Sequence, residues 1–504
     1  MKPEDIMDSM NNIDDDIISE VQKIRTKKKK NKMWIKWVAI AACFCIVIGA
    51  TLGHFHFRKP QPPSPSAEPG TTLNNSTPAP LSPFSVSNAV YPEMMQFPSE
   101  EDFTDSIGNI DWEAYSIANN KWYNDFNTRM QNSASAGDYG KFLNSTVKTF
   151  FADTKSENLV YSPLNVYMAL SLLAESTDGQ TRQEILDLLG VSNIDELRKL
   201  ANKLWISNYS DDGLKTNVLA NSVWMGDGIE YNQSTLDLLA THYYASSFSG
   251  TMGSAEYNKA LQYWLNEQTG GLLKDQANNV EFNDSTVLGL ASTVYFKAGW
   301  KNEFSEYHTK PDTFHGTNGD ENIDFMYQRI TDYPIYSDDR YTATYLPFNG
   351  TGKMWLILPD DGFSPEVLLK NGDIDAVLNG STPKNIHSGT ITNLYMPKFD
   401  VASSMDLIES IQTLGVSKVF DETIADFSPV MPSQSAYVSQ ISHSARVSVD
   451  EKGCTAAAFT VVAADTEAFI EGKEVDFRLN KPFIFVITSD DSTPLFVGVV
   501  NTVK

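Results

Sequence analysis

Seven histidines and three cysteines are the residues best suited to nucleophilic or metal chemistry in this chain, and their spacing argues against both. Cys43, Cys45 and Cys454 make no C-x-x-C ligand set, and no disulfide framework can be drawn from them. No H-E-x-x-H, G-x-S-x-G or phosphate-binding glycine loop occurs. His443 stands between Ser442 and Ser444, which could suggest a hydrolase, but a histidine satisfied inside a core is the commoner state. No catalytic residue, metal ligand or cofactor is therefore assigned.

A different chemistry is written in Glu451 to Phe477, EKGCTAAAFTVVAADTEAFIEGKEVDF. From Cys454 to Ala464 there is no charge, proline or glycine. Strand alternation puts Cys454, Ala456, Ala458, Thr460, Val462 and Ala464 on one face, all small or β-branched. The other face holds Thr455, Ala457, Phe459, Val461, Ala463 and Asp465, and is expected to reach solvent. A charged hinge from Asp450 to Gly453 precedes the segment, with Gly453 read as a source of backbone freedom. Acidic, flexible sequence follows it. The segment suits a strand that enters a sheet. On the pattern alone, an ordinary core strand followed by a long polar turn is the more usual reading.

The elements that would position this segment begin near Asp138. Tyr139, Phe142, Leu143, Val147, Phe150 and Phe151 recur at helical spacing. Helices are expected at Pro163 to Ser176 and at Thr181 to Leu189, the latter stopped by Gly190. Val287 to Phe296, Met354 to Leu358 and Pro482 to Thr488 are short apolar runs of the kind found in buried strands. Turn sequences such as Asn349-Gly350 and Pro359-Asp360-Asp361-Gly362 punctuate them. Helices first and strands later, without a βαβ rhythm, imply an α+β class.

Ahead of this body the composition changes twice. Residues Trp37 to Phe57 carry no formal charge, and Lys23 to Lys36 places eight Lys or Arg just before them. About 20 apolar residues span a bilayer, and positive charge on one flank puts that flank in the cytoplasm. The expected organisation is a cytoplasmic stub over 1–33, a membrane-spanning signal anchor over 34–57, and a Pro/Ser-rich stalk over 58–100. An acidic, aromatic lead-in over 101–137 and the main domain over 138–504 follow. A cleaved signal peptide competes with the anchor, but the stub is long and acidic and lacks a small-x-small site. The net charge of −25 repels phosphate backbones and argues against nucleic acid as a partner.

In order along the chain, several stretches resemble one family. Asn158-Leu159-Val160-Tyr161-Ser162-Pro163-Leu164, Ala220 to Met225, Val294 to Trp300, Phe477 to Phe485 and Pro494 to Gly498 are similar to serpin signatures, with Glu451 to Ala464 at the place of the serpin hinge and loop. The resemblance covers Asp138 to Lys504. It implies helices packed around three β-sheets with an exposed reactive-centre loop, and inhibition of extracellular serine-type (or cysteine-type) endopeptidases by a cleaved loop that inserts into the sheet. It implies a monomer that is not an enzyme. By resemblance, Glu451, Gly453, Cys454, Ala456, Ala458 and Thr460 form the hinge. Ser162, Pro163, Ser292, Trp300 and His443 line the region where the sheet opens.

Counting from the hinge places the cleaved bond at Glu467-Ala468. Two departures stand out: Ser292 where the family usually has Asn, and Asn165 where it usually has Ser. They are expected to re-route hydrogen bonds around His443. Cys454 is small enough for insertion, or is a redox-sensitive thiol. A non-inhibitory serpin acting as a binding module is the alternative, and the uncharged even-numbered face speaks against it.

Overall fold

The computed structural model describes residues 81–131, 136–152, 156–331, 333–350, 352–439, 441–454 and 473–503. The expected membrane span, Ala456, Ala458, Thr460, and the expected reactive bond Glu467-Ala468 lie outside the described residues. Among the described residues, no helix is long and apolar enough to cross a membrane, and no group of His, Cys, Asp or Glu is placed to hold a metal ion.

The chain runs through β1 (Ser85–Ser87), α1 (Trp112–Met130), α2 (Gly140–Phe150), β2 (Leu159–Tyr161), α3 (Pro163–Ser176), α4 (Gly179–Leu189) and α5 (Ile194–Asn208). Each start and stop has a local cause. Ser162 caps α3, its Oγ accepting from the Asn165 N–H, and Pro163 occupies the first turn, where its missing N–H costs nothing. Gly190 ends α4 in the left-handed region, at φ +77°. The apolar stripe expected on α2 is buried from Phe142 to Phe150.

Next come β3 (Ser210–Asp211), β4 (Lys215–Gly226), α6 (Gln233–His242), β5 (Ala245–Gly250), α7 (Ala255–Gln268), α8 (Lys274–Ala277) and β6 (Leu288–Gly299). The strand-rich half holds β7 (Lys310–Gly316), β8 (Gly319–Ile330), β9 (Ile335–Ser337), β10 (Tyr341–Pro347) and β11 (Lys353–Pro359). After α9 (Pro365–Asn371) and α10 (Asp375–Leu378) follow β12 (Asn385–His387), β13 (Thr390–Pro397), β14 (Phe399–Asp406) and α11 (Ile408–Thr413). The last strands are β15 (Ser442–Val449), β16 (Gly453–Cys454), β17 (Lys473–Arg478), β18 (Phe483–Thr488) and β19 (Pro494–Val500).

Three sheets result. The largest runs β1-β5-β4-β6-β16-β15-β14, with β3 beside β4. The second runs β12-β9-β10-β11-β18-β19-β2, and the third β17-β13-β8-β7. Helix α3, buried except at Ala169, packs on both β6 and β19 and so fills the space between the two larger sheets.

The packed structure starts earlier than the sequence reading placed it. From Leu81 the chain lies on the body: Leu81 and Ala89 are buried, β1 extends the edge strand β5, and α1 buries Trp122. The stalk expected to reach residue 100 and the unassigned lead-in after it are therefore ordered parts of the fold over the described residues. Leu81, Phe84, Tyr91 and Phe97 are interleaved with the prolines and serines that suggested a stalk, and burying apolar area outweighs that composition.

Candidate functional site: a slot in the largest sheet

Among the described residues, strands β6 and β15 are neighbours in the sheet only through the two residues of β16. Gly453 pairs with Gly299 and Cys454 with Ala298 on β6, while Cys454 pairs with Val449 on β15. Among the described residues, β6 and β15 share no ladder pairs of their own. Below Cys454 the two edges border a cavity of about 140 Å³, walled by Leu170 and Leu173 of α3, Leu265 of α7, Leu290 of β6, and Ile441 and His443. Among the described residues, a slot one strand wide is thus occupied at its top by Gly453-Cys454 and borders a cavity lower down.

The top is tied by charge and backbone. The Trp300 indole N–H donates to the Asp450 carbonyl at 2.9 Å, and its backbone N–H to the Lys452 carbonyl at 2.9 Å. Its ring stacks on Phe348. Glu451 is buried; Lys398 Nζ stands 2.7 Å from its Oε1, and the Thr309 hydroxyl donates to the same oxygen at 2.8 Å. Burial pushes the Glu451 carboxyl up, but the hydrogen bonds from Lys398 and Thr309 and the lysine charge outweigh it and hold the group below the usual carboxylate range.

Gly453 has a different purpose from the one expected. Its φ is not in the left-handed region. A Cβ there would lie 2.3 Å from the Ala298 carbonyl oxygen and 2.8 Å from the Gly299 Cα, so glycine is needed for the close approach of two backbones. Cys454 is 1% exposed, which shields its sulfur from oxidants in solution.

The lower end is neutral and hydrogen-bonded. His443 is buried, and its Nε2 accepts from the Ser162 backbone N–H at 3.1 Å. That fixes the tautomer: Nδ1 carries the proton and donates to Asn165 Oδ1 at 3.3 Å. Burial pushes the imidazole down to about 4, so it is uncharged at neutral pH.

The Ser292 hydroxyl donates to Asn221 Oδ1 at 2.8 Å. From there the network continues through Asn221 Nδ2 to the Tyr243 carbonyl, and from the Tyr243 hydroxyl to Glu175, which Arg198 grips with two nitrogens. The two departures from the family pattern, Asn165 and Ser292, are thus both engaged.

The structure brings the expected residues together in two groups. Trp300, Glu451, Gly453 and Cys454 sit at the top; Ser292 and His443 line the cavity, with Ser162 bonded to His443 and Pro163 beside it at the start of α3. Lys398, Thr309 and Asn221 were not foreseen. Lys398 lies between β13 and β14, Thr309 just before β7 and Asn221 on β4, all far along the chain from the hinge; they carry no local signal, although an acidic hinge residue that must be buried implies a cation somewhere near it.

A search of known families matches residues 139–503 to the serpin (serine protease inhibitor) model. An uncharacterised serpin-like protein of Thermococcus kodakarensis is 28% identical over 354 residues, covering 68% of this chain and 80% of the relative. The plasma serine protease inhibitor of Mus musculus is 28% identical over 366 residues, covering 70% and 87%. Among solved structures, the thermophilic serpin tengpin in its native state superposes with a TM-score of 0.65 at 23% identity, over 73% of this chain and 94% of tengpin. Human glycosylated kallistatin gives 0.62 at 20% identity, over 73% and 97%. At these identities the two structures speak for the fold. Serpins are in general inhibitors of proteases, and by the family match this chain belongs to the serpin family.

Proposed function

We propose that this serpin is an extracytoplasmic inhibitor of serine-type endopeptidases that traps its target by inserting its own cleaved loop. It would be held in the cell membrane as a monomer by the single span over 34–57, with residues 1–33 in the cytoplasm. The observation that carries the inhibitory reading is the seating of Gly453-Cys454 between two strands that, among the described residues, share no ladder pairs with each other. The likeness to the mouse plasma serine protease inhibitor supports the class of target.

In this reading the protease's serine hydroxyl attacks the Glu467 carbonyl and the Ala468 amine leaves. The enzyme is then esterified to the end of a freed strand. A strand continuing the register of Cys454 against Ala298 and Val449 would set Thr460 opposite Ser292 on β6 and His443 on β15. Ala464 would stand opposite Leu288, the first residue of β6. The uncharged stretch Cys454 to Ala464 therefore matches the length of the slot. Each ladder hydrogen bond adds about 0.5–1.5 kcal/mol net, and burial of the even-numbered face beside Ala298 and Phe296 adds to that.

The test is to mix the protein with a serine protease and run a denaturing gel with mass measurement of the small fragment. A denaturant-stable complex with release of Ala468–Lys504 is expected. Cleavage without any complex would leave only the binding-module reading.

A further inference from the structure

Residues 81–131 lie ahead of the family match, yet they grip the body at four places. Ser85 and Ser87 pair with Phe248 and Ser247 on β5, and the Ser249 N–H donates to the Phe84 carbonyl at 2.8 Å. The Tyr91 ring stacks on Trp205 and Tyr209, at 5.5 Å from each. The Phe97 N–H donates to the Asp212 carbonyl in the turn between β3 and β4, and the Gln96 amide to Asp211. Trp122 of α1 is 2% exposed and meets Phe97 edge-on.

The fourth grip is at the end of α1. There the Phe126 ring lies 6.0 Å from Lys215 Nζ. Lys215, at the start of β4, pairs with Asp490 in the turn between β18 and β19, and their side chains are 10% and 7% exposed. Phe126, Arg129 and Met130 close over this pair, leaving a space of about 10 Å³, no more than one water.

These contacts bear on the slot. The cavity below Cys454 measures about 140 Å³, close to the roughly 150 Å³ space that admits one benzene, and far short of a run of strand residues. To take a strand, β6 must move away from β15, and β1, β5 and β4 lie on the β6 side of the slot. The 81–131 segment binds β5 and β4 to α5. It also keeps water from the ion pair that ties β4 to the second sheet, and an ion pair without water is harder to part.

We infer that residues 81–131 are a strap that holds the block β1-β5-β4-β6 in place and so sets the rate at which the slot opens. The inference rests on the insertion reading above. Releasing the strap lets the sheet open before any protease has cut the loop, so an uncleaved, inserted and inactive form builds up.

The test uses the full chain carrying Tyr91→Ala and Phe126→Ala, incubated without protease while trapping capacity and melting are followed. Capacity should decay at least tenfold faster than in the parent, as an uncleaved form that melts above the parent accumulates. An unchanged decay rate, or decay only into a lower-melting or aggregated chain, overturns the strap. If the double variant does not fold, Phe126→Ala alone, which admits water to the ion pair, is read in the same way. The insertion reading is checked separately on the parent. A parent that melts no higher after nicking between Ala463 and Phe469 fails that reading, whereas one that melts higher while the variants decay like the parent fails only the strap.

Discussion

The two ends of the slot are held by opposite chemistry. At the top, an ionised carboxylate is buried with a lysine against it, and the backbones touch so closely that only glycine fits. At the bottom, a neutral histidine, the Asn165 amide and the Ser292 hydroxyl border a largely apolar space. A charged, filled end resists change because breaking it strands a buried charge. A neutral end with a cavity gives way at lower cost, because the packing lost there is already incomplete. The difference teaches where an entering strand is anchored and where it must do its packing.

The largest expected effect breaks the lower end. Thr460→Arg would bring a guanidinium between Ser292 and His443, where the facing groups are neutral. An unpaired buried charge costs about 3–5 kcal/mol, and each 1.4 kcal/mol is a factor of ten. The variant is expected to be cleaved as a plain substrate, with its complex yield on a denaturing gel down at least tenfold. Equal trapping by variant and parent would remove the register argued here.

The best control is not Phe459, although alternation alone expects that face to reach solvent. The odd-numbered face of β6 lies beneath the segment after α7: a Cβ on Gly270 would come within 2.7 Å of the Tyr295 ring, and Thr293 is 3% exposed. Thr455→Glu, which would stand opposite half-buried Lys297, is the milder partner and should trap as the parent does.

That roofing shows where sequence reading stops. The capped start of α3, the stripe of α2 and the apolar runs of β6, β11 and β18 were legible because each is set by its own residues. The two-faced character of Cys454 to Ala464 was legible for the same reason. What covers each face was not, since α7 is contributed from elsewhere in the chain. Gly453 could be read as special, yet the reason, proximity to Ala298 rather than an unusual φ, exists only once β6 is beside it. Lys398 and Thr309 are invisible beforehand because a charge pair across a fold leaves no periodicity. Residues 81–100 misled because their three prolines and four serines continue the Pro/Ser-rich run before them, while apolar side chains such as Leu81, Phe84, Tyr91 and Phe97 decide their placement.

A smaller effect sharpens the contrast by pH. The ordinary imidazole value is 6.5 and His443 lies near 4 in the fold. Above about 6.5 both folded and unfolded chains hold a neutral ring, and pH has no purchase through this residue. Between about 6.5 and 4 the unfolded chain takes up a proton that the native site refuses, so stability falls as pH falls. At 1.36 kcal/mol per unit the loss reaches roughly 3 kcal/mol. Denaturant melts at intervals across that window should show the slope, and His443→Asn should flatten it whatever its effect on absolute stability. A slope that survives the substitution assigns it to other groups.

The smallest effect belongs to the top, where the sign is reversed by one substitution. Glu451 is held below its ordinary value, so the native state gains from it above about 4.5 and loses that gain as pH falls through the lowered value. Lys398→Met takes away the cation but not the burial, and burial alone raises a carboxyl. The native chain then binds the proton more tightly than the unfolded one, so this residue's contribution to stability drops as pH rises through the raised value. A hydrogen bond to a charged group is worth about 1.5–3 kcal/mol, so near neutral pH Lys398→Met should cost about that much. Thr309→Val keeps the ion pair and removes only the hydroxyl's bond; its loss should be comparable or smaller, with the parent's sign of slope below pH 4.5. The measurement is the melting of the three chains at pH 7, at pH 5 and at steps below pH 4.5. If Lys398→Met loses no more at pH 7 than at pH 5, the lysine is not what keeps Glu451 ionised, and the top of the slot is held by its backbone contacts alone.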